Sequence, residues 1–368
     1  MPKKKILHLI TGLEIGGAET ALLKTLPLLQ SDFENRVCCI KGYGPMGNKL
    51  EEAGIQVTYL YFDSIFDIPF LPLRFKKIIN QFSPDILVTY LIHADLFGRI
   101  FGRFFGIQKI ICSQRGSLLQ WEFLRYADRL TKKLVTQYVV QTKTAQNMLS
   151  AKLHLSREKF TIIPNGIDTN HFDTTITSIP LKHSLGIKPD EKVVICVANL
   201  YSNKGHFYLL EAFEEVFKHH PKTHLVLAGE GPERENITSQ IACYASKNNI
   251  HLLGQRTDIP SLLKLSHVFV LPTFYEGMSN AIQEAMASSL AIITTDIPEN
   301  KDFLTHDRNA ILVQVKNSLS IKKALLKLLG DPEFLNKLGK TSQSTVKDLF
   351  SIQETSLKWK NLLNKNLW

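Results

Sequence analysis

One feature constrains this chain more than any other: a short apolar run, a glycine-containing turn and an amphipathic stretch, repeated in two successive series. Runs at 5–10, 37–40, 56–61, 86–90, 109–113, 138–141 and 160–163 make the first series. Runs at 193–198, 225–229, 250–253, 268–272, 291–295 and 310–313 make the second. Apolar runs this short, separated by helical segments, indicate parallel strands joined by crossover helices. A length of 368 residues fits two such domains better than one. The expected fold class is α/β, with two Rossmann-like, doubly wound parallel-sheet domains facing across a cleft. The first domain reads as 1–172, joined by a C-terminal helix at 346–368, and the second as 173–345, with the polar stretch 173–178 as linker. Ligands of such sheets bind beyond the carboxyl ends of the strands, so the loops there are where chemistry is sought.

Composition excludes several other classes. A hydrophobic fraction of 44% with 21% charged residues describes a globular chain with full cores. No apolar stretch reaches the roughly 18 residues of a membrane span. The run 6–10 contains His8 and stops at Thr11-Gly12, too short for a signal-peptide core, so the expected location is cytoplasmic. Cys38, Cys39, Cys112, Cys196 and Cys243 include no C-x-x-C pair and read as reduced thiols, with no metal expected. The net charge of +10 is uneven: residues 1–170 carry 22 Lys+Arg against 14 Asp+Glu, and the remainder 22 against 20. The excess collects at 74–77, 99–103 and 125–133, among Phe97, Phe101, Phe104, Phe105, Trp121 and Phe123. Basic residues beside aromatics suit peripheral contact with an anionic membrane at its inner face. A solvated helix face over a Phe-rich core is the plainer alternative. No nucleic-acid module is present, and no nucleic-acid partner is expected.

Three loops have the chemistry of a phosphate cradle. Gly16-Gly17 lies between the first apolar run and the first helix, where backbone N–H groups favour an anion. Lys204-Gly205 follows the run 193–198 and supplies a cation for a leaving diphosphate. Gly229-Glu230-Gly231 begins like a dinucleotide fingerprint but has Arg234 in place of the last glycine, so NAD binding is a poor reading and a tight turn bordering a nucleotide a better one. The spacing Gly42 to Gly47 is that of a phosphate-binding P-loop, but Asn48 replaces the required Lys.

The acidic pair Glu276 and Glu284 lies in Pro272-Thr273-Phe274-Tyr275-Glu276-Gly277-Met278-Ser279-Asn280-Ala281-Ile282-Gln283-Glu284. Were the whole span helical, eight residues would set the carboxylates about 12 Å apart along the axis, wider than a glycosidase pair. Gly277 places Glu276 in a loop and Glu284 on the helix that Ser279 or Asn280 caps. Together with Gly16-Gly17-Ala18-Glu19, His93-Ala94-Asp95, Asn165-Gly166-Ile167-Asp168, Lys204-Gly205, Ala228-Gly229-Glu230-Gly231-Pro232 and Gly254-Gln255-Arg256-Thr257-Asp258, this pattern resembles family four of the retaining glycosyltransferases, which have the GT-B architecture. The likeness covers nearly the whole chain and is strongest over 193–313.

The resemblance implies a role for each matching position. Glu284 would hold the ribose hydroxyls of a nucleotide-diphosphate-sugar and Glu276 the transferred sugar. Lys204 would neutralise the diphosphate, with the backbone of Ser279, Asn280, Gly16 and Gly17. Asn199, Gly231 and Arg256 would border the donor nucleotide, and His93 would stand near the reacting centre and acceptor. The catalytic set is then His93, Lys204 and Glu276, with no metal or other cofactor. Departures are also visible. Asn199 stands where many members have Arg, a charge that is then either missing or supplied elsewhere, with Arg115 a candidate; Ser289-Leu290-Ala291 replaces Gly-x-Pro; Asp302 stands near a usual Glu. The expected activity is retaining transfer of a hexosyl-type sugar to a hydroxyl of a cell-envelope polysaccharide or lipid-linked saccharide. The rivals are a sugar-nucleotide epimerase or phosphorylase of the same fold, and a non-catalytic nucleotide-sugar-binding partner.

Overall fold

The apolar runs pair into two wholly parallel sheets, seen in a computed structural model that describes residues 2–115, 124–173 and 179–365. The first contains β1 (Lys4–Ile10), β2 (Phe33–Cys39), β3 (Gln56–Tyr59), β4 (Ile86–Tyr90), β5 (Lys109–Ser113), β6 (Gln137–Val140) and β7 (Phe160–Ile162). The second contains β8 (Lys192–Val197), β9 (Thr223–Ala228), β10 (Ile250–Leu252), β11 (Val268–Leu271), β12 (Ala291–Thr295) and β13 (Ile311–Val313). Helices cover both faces of a parallel sheet, which is why strands such as β4, β9 and β12 are buried at every residue and read as unbroken apolar runs. β2 starts four residues earlier than its apolar run. Its first half alternates buried Phe33 and Asn35 with half-buried Glu34 and Arg36, and Arg36 pairs with Glu34 at 3.3 Å and lies over the Phe82 ring.

The chain divides into unit 1, residues 1–166 with 352–368, and unit 2, residues 167–351. In unit 1 the strand order is β3-β2-β1-β4-β5-β6-β7, and in unit 2 it is β10-β9-β8-β11-β12-β13. Each order runs outward from its first strand, reverses, and leaves a switch point, between β1 and β4 in unit 1 and between β8 and β11 in unit 2. The stretch expected as one C-terminal helix is two, Pro332–Phe350 and Ile352–Asn364, because Ser351 is extended. The second packs Trp359, Leu362 and Leu363 into the unit 1 core beside Leu22 and Leu26.

The basic, aromatic stretches of unit 1 are divided: Arg99 is interior, while Lys76, Lys77, Phe104, Tyr126, Arg129, Leu130 and Lys133 are exposed. Arg99 is fully buried: its Nη1 donates to Asp128 at 2.6 Å, and Asp95 lies 4.0 Å from its Nη2. Asp95 also accepts from Thr89 and Gln114, and burial pushes its carboxyl up to about 7. Arg74 donates to the Leu60 and Tyr61 carbonyls, and Arg103 to that of Leu134. Phe97 and Phe105 pack on Phe75, and Phe101 joins them, with Lys76 over the Phe105 ring and Phe104 left exposed. Trp121, Phe123, the Arg125 side chain and most of the expected linker lie outside the described residues.

Candidate functional site

In unit 2 the loops that leave β8 and β11 meet at the switch point. After β8 a single 3-10 turn, Ser202–Lys204, ends at Gly205, whose left-handed backbone (φ 73°) starts the helix His206–Phe217. A Cβ at Gly205 would collide with the Pro272 carbonyl, so only glycine lets the two loops close on each other. They are then bonded together: Phe274 N–H and Thr273 Oγ1 both donate to the Asn203 carbonyl, at 2.8 and 3.2 Å. Thr295, at the end of β12, donates to the Thr273 carbonyl at 2.6 Å and holds the loop from the other side. This fixed backbone puts Lys204 Nζ in an ion pair with Glu276 Oε1, the two side chains only 21% and 12% exposed.

Glu276 precedes the helix Asn280–Ala287, on which Glu284 sits partly exposed, one turn beyond Asn280. Ser279 caps that helix, its Oγ accepting from Ile282 N–H at 3.4 Å. The neighbouring turns are locked to this centre. Gly229, at φ 155°, lies against the Ala198 carbonyl, and a Cβ at Gly231 would stand 2.7 Å from the Leu200 carbonyl oxygen. Leu200 N–H donates to the Glu230 carbonyl at 2.9 Å, and Gly229 N–H to that of Gly254 at 2.8 Å. Asn199 is therefore an exposed residue on a rigid turn. Arg256 is chelated by Asp258 at 2.7 and 2.8 Å and points its charge there.

In unit 1 the equivalent switch-point loops follow β1 and β4. Gly16 starts the helix Gly17–Leu29, and the anion over that helix start is the chain's own Glu19, whose carboxylate fills the space a Gly16 side chain would take. Burial raises Glu19 above the usual carboxylate range, against the pull of its own backbone N–H and of Arg115. Arg115 is engaged within unit 1, donating to Asn165 Oδ1 at 2.6 Å and lying over the Tyr90 ring. After β4, Leu91 has φ 71° and ψ 150°, a costly conformation for a branched side chain, and it launches the helix Ile92–Phe104 with His93 exposed in its first turn.

The structure thus joins Lys204 to Glu276, places Glu284, Ser279 and Asn280 on the adjoining helix, and sets Gly16, Gly17 and His93 on the corresponding loops of unit 1. Three residues beside these loops escape the sequence reading. Glu299, in the short helix after β12, is raised above its usual range by burial and by nearby Asp302 and Glu276. Lys316, after β13, stands 4.9 Å from the Phe274 ring centre. Leu91 carries its strain with no residue-type signal at all. Among the described residues, no group of three or more His, Cys, Asp or Glu is placed to hold a metal ion, and no helix is long and apolar enough to cross a membrane.

Comparison with known proteins bears on the family and the fold. The family model "Glycosyl transferases group 1" matches residues 179–345, and "Glycosyltransferase Family 4" matches residues 15–171. The chain is 25% identical to the UDP-Gal:alpha-D-GlcNAc-diphosphoundecaprenol alpha-1,3-galactosyltransferase of Escherichia coli, over 98% of this chain and 96% of that one. It is 23% identical to the capsular polysaccharide biosynthesis glycosyltransferase CapH of Staphylococcus aureus, over 81% and 83%. Among solved structures, Anabaena Alr3699/HepE in complex with UDP-glucose has the same fold, with a TM-score of 0.87 at 19% identity and coverage of 98% and 99%.

Proposed function

The chain belongs to the family 4 glycosyltransferases of GT-B fold, and from that premise we propose that it transfers a hexosyl sugar, with retained anomeric configuration, from a nucleotide-diphosphate-sugar to a hydroxyl of an envelope polysaccharide or lipid-linked saccharide. One observation carries the proposal: the Lys204–Glu276 pair at the switch point of the unit 2 sheet. Lys204 neutralises the diphosphate as the bond from its oxygen to the anomeric carbon breaks. The acceptor oxygen bonds to that carbon on the same face, its proton passing to the departing phosphate oxygen. Glu276 fixes the Lys204 ammonium and contacts the sugar; Glu284 binds the ribose; Ser279 and Asn280 present the helix start to the phosphates. Asn199, Gly231 and Arg256 border the nucleotide, while Gly16, Gly17 and His93 of unit 1 serve the reacting groups and the acceptor.

The nucleotide is assigned as UDP, because UDP and UDP-glucose are bound by the Anabaena protein and a UDP-sugar is named for the Escherichia coli relative. The latter's lipid diphosphate substrate supports a lipid-linked acceptor, met at the inner face of an anionic membrane. No metal takes part in the proposal. Its test is thermal stabilisation of the purified protein by a panel of nucleotide-sugars with chelator present, followed by product analysis with saccharide acceptors. Stabilisation by a UDP-sugar that is lost in Glu284→Ala, with an α-linked product from an α-linked donor, is the expected result. Turnover of the donor without any acceptor, or an inverted product, would overturn the reading.

A further inference from the structure

The amino-terminal edge of the unit 1 sheet has a site of its own. The starts of β1, β4 and β5, with the turns entering β6 and β7, enclose a cavity of about 520 Å³. That volume is typical of a small-molecule site. Six cationic side chains line it, Lys4, Arg103, Lys109, Lys133, Lys159 and Lys365, against one carboxylate, Asp85, so the wall carries 6 − 1 = 5 positive charges. Hydrogen bonds inside the fold do not cancel that charge. Lys109 Nζ donates to the carbonyls of Leu362, Leu363 and Lys365, at 3.5, 3.0 and 2.8 Å, and Lys4 Nζ to that of Leu363 at 3.4 Å. Asp85 itself accepts from the Lys5 N–H at 2.8 Å. Burial, and after it the neighbouring Lys4, hold the Lys109 ammonium down at about 8.

We propose that this cavity is a second ligand site, which takes the phosphate or diphosphate group of a phosphorylated ligand. Lysine ammoniums are compact point charges with rotatable donors, suited to phosphate oxygens of variable orientation. The site is separate from the loops assigned to transfer. β4 begins at Ile86 in the cavity wall and ends at Tyr90, just before Leu91 and His93, so about 16 Å of strand lies between them. A soluble phosphate compound and a lipid phosphate headgroup offer the same chemistry.

The test is calorimetric titration of inorganic diphosphate into the full-length protein. Lys133, Lys159 and Lys365 are exposed, so their joint replacement (Lys133→Gln, Lys159→Gln and Lys365→Gln) keeps the fold. It should weaken diphosphate binding about tenfold or more, while Asp85→Asn should tighten it about threefold. Asn at 85 still accepts the Lys5 N–H, so this second variant reads charge alone. Flotation with phosphatidylcholine vesicles, with or without phosphatidylglycerol, separates the two sources. Anionic-vesicle binding lost in the triple variant assigns a lipid headgroup; unchanged flotation with lost diphosphate binding assigns a soluble ligand. The proposal is overturned if the triple variant binds diphosphate normally, if Lys76→Gln with Lys77→Gln weakens it equally, or if Lys204→Met abolishes it. None of these readings depends on transferase activity.

Discussion

Replacing Lys204 by Met removes the ammonium and keeps most of the aliphatic stem, which makes it the sharpest test of the site. The pair it breaks is partly buried, with side chains 21% and 12% exposed, so its loss should cost unit 2 about 1 kcal/mol after allowance for solvent screening. Unit 2 spans 351 − 166 = 185 residues, and for that size such a loss lowers the melting temperature by about 2–4 °C. A domain stable by about 5–15 kcal/mol remains folded after that change, so unfolding contributes nothing to the kinetics. Loss of one preorganised charge at a developing anion costs about 3–4 kcal/mol of barrier, a fall of roughly 10²–10³ in kcat. The unpaired Glu276, near Glu299, then repels the diphosphate and raises the barrier further. The double variant Lys204→Met/Glu276→Gln should recover the stability but little of the turnover. The assay is steady-state product formation from a nucleotide-sugar, with thermal melts of each variant. A Lys204→Met enzyme within about threefold of wild-type kcat, or one changed only in KM, would refute the reasoning, since the charge would then bind ground state and transition state alike.

Three other perturbations follow from the same geometry. Gly205→Ala forces a Cβ onto the Pro272 carbonyl at φ 73° and should cost about 2–4 kcal/mol in urea unfolding; a loss under about 0.5 kcal/mol would show that the loop relaxes freely. Arg99→Met leaves Asp128 and Asp95 buried without their cation, for an expected loss of about 3–5 kcal/mol at neutral pH, read by the same unfolding curves. His8, buried between Asn35 and Tyr90, is lowered to about 4 by burial, so between pH 6.5 and 4 the unfolded chain takes up a proton that the folded chain refuses. Its contribution, full above 6.5, should fall by about 3 kcal/mol as pH drops to 4. Asp95, raised to about 7, acts in the opposite sense over the same range, so the measurement is the difference between wild type and His8→Gln: a gap independent of pH would sink the assignment.

How much of this was legible in the sequence depends on what each residue packs against. Parallel strands under helices on both faces must be apolar throughout, so all thirteen apolar runs correspond to strands, with only their ends displaced. The Pro332–Phe350 helix was run into the next because helix-forming residues continue across the join. The signal that marks the break is Ser351 followed three residues later by Glu354, the spacing of a capping box. Charges deceived in the other direction. Arg99 reads as surface beside Arg103, yet Asp128, 29 residues on, and Asp95 neutralise it in the interior, and pairing over that separation leaves no local pattern. Glu299 was more accessible to reasoning, since it follows the run 291–295 at a helix start opened by Pro298.

The motifs themselves were individually weak, and the topology explains why they are informative together. Gly16-Gly17 and His93 follow β1 and β4, while Lys204 and Glu276 follow β8 and β11; in each sheet these are the adjacent strands from which the order runs outward in opposite directions. At that point the crossover helices depart to opposite faces, and the loops leave an opening no helix fills. A glycine there allows close backbone approach, and a charged residue there avoids the burial that its neighbours in the strands impose. Short polar motifs placed just after the first and fourth strands of a 3-2-1-4-5 order are thus forced into one opening, however far apart they stand in the chain. Lys204 and Glu276, 72 positions apart, close to an ion pair for that reason, and a sequence carrying the same motifs after second and third strands would scatter them.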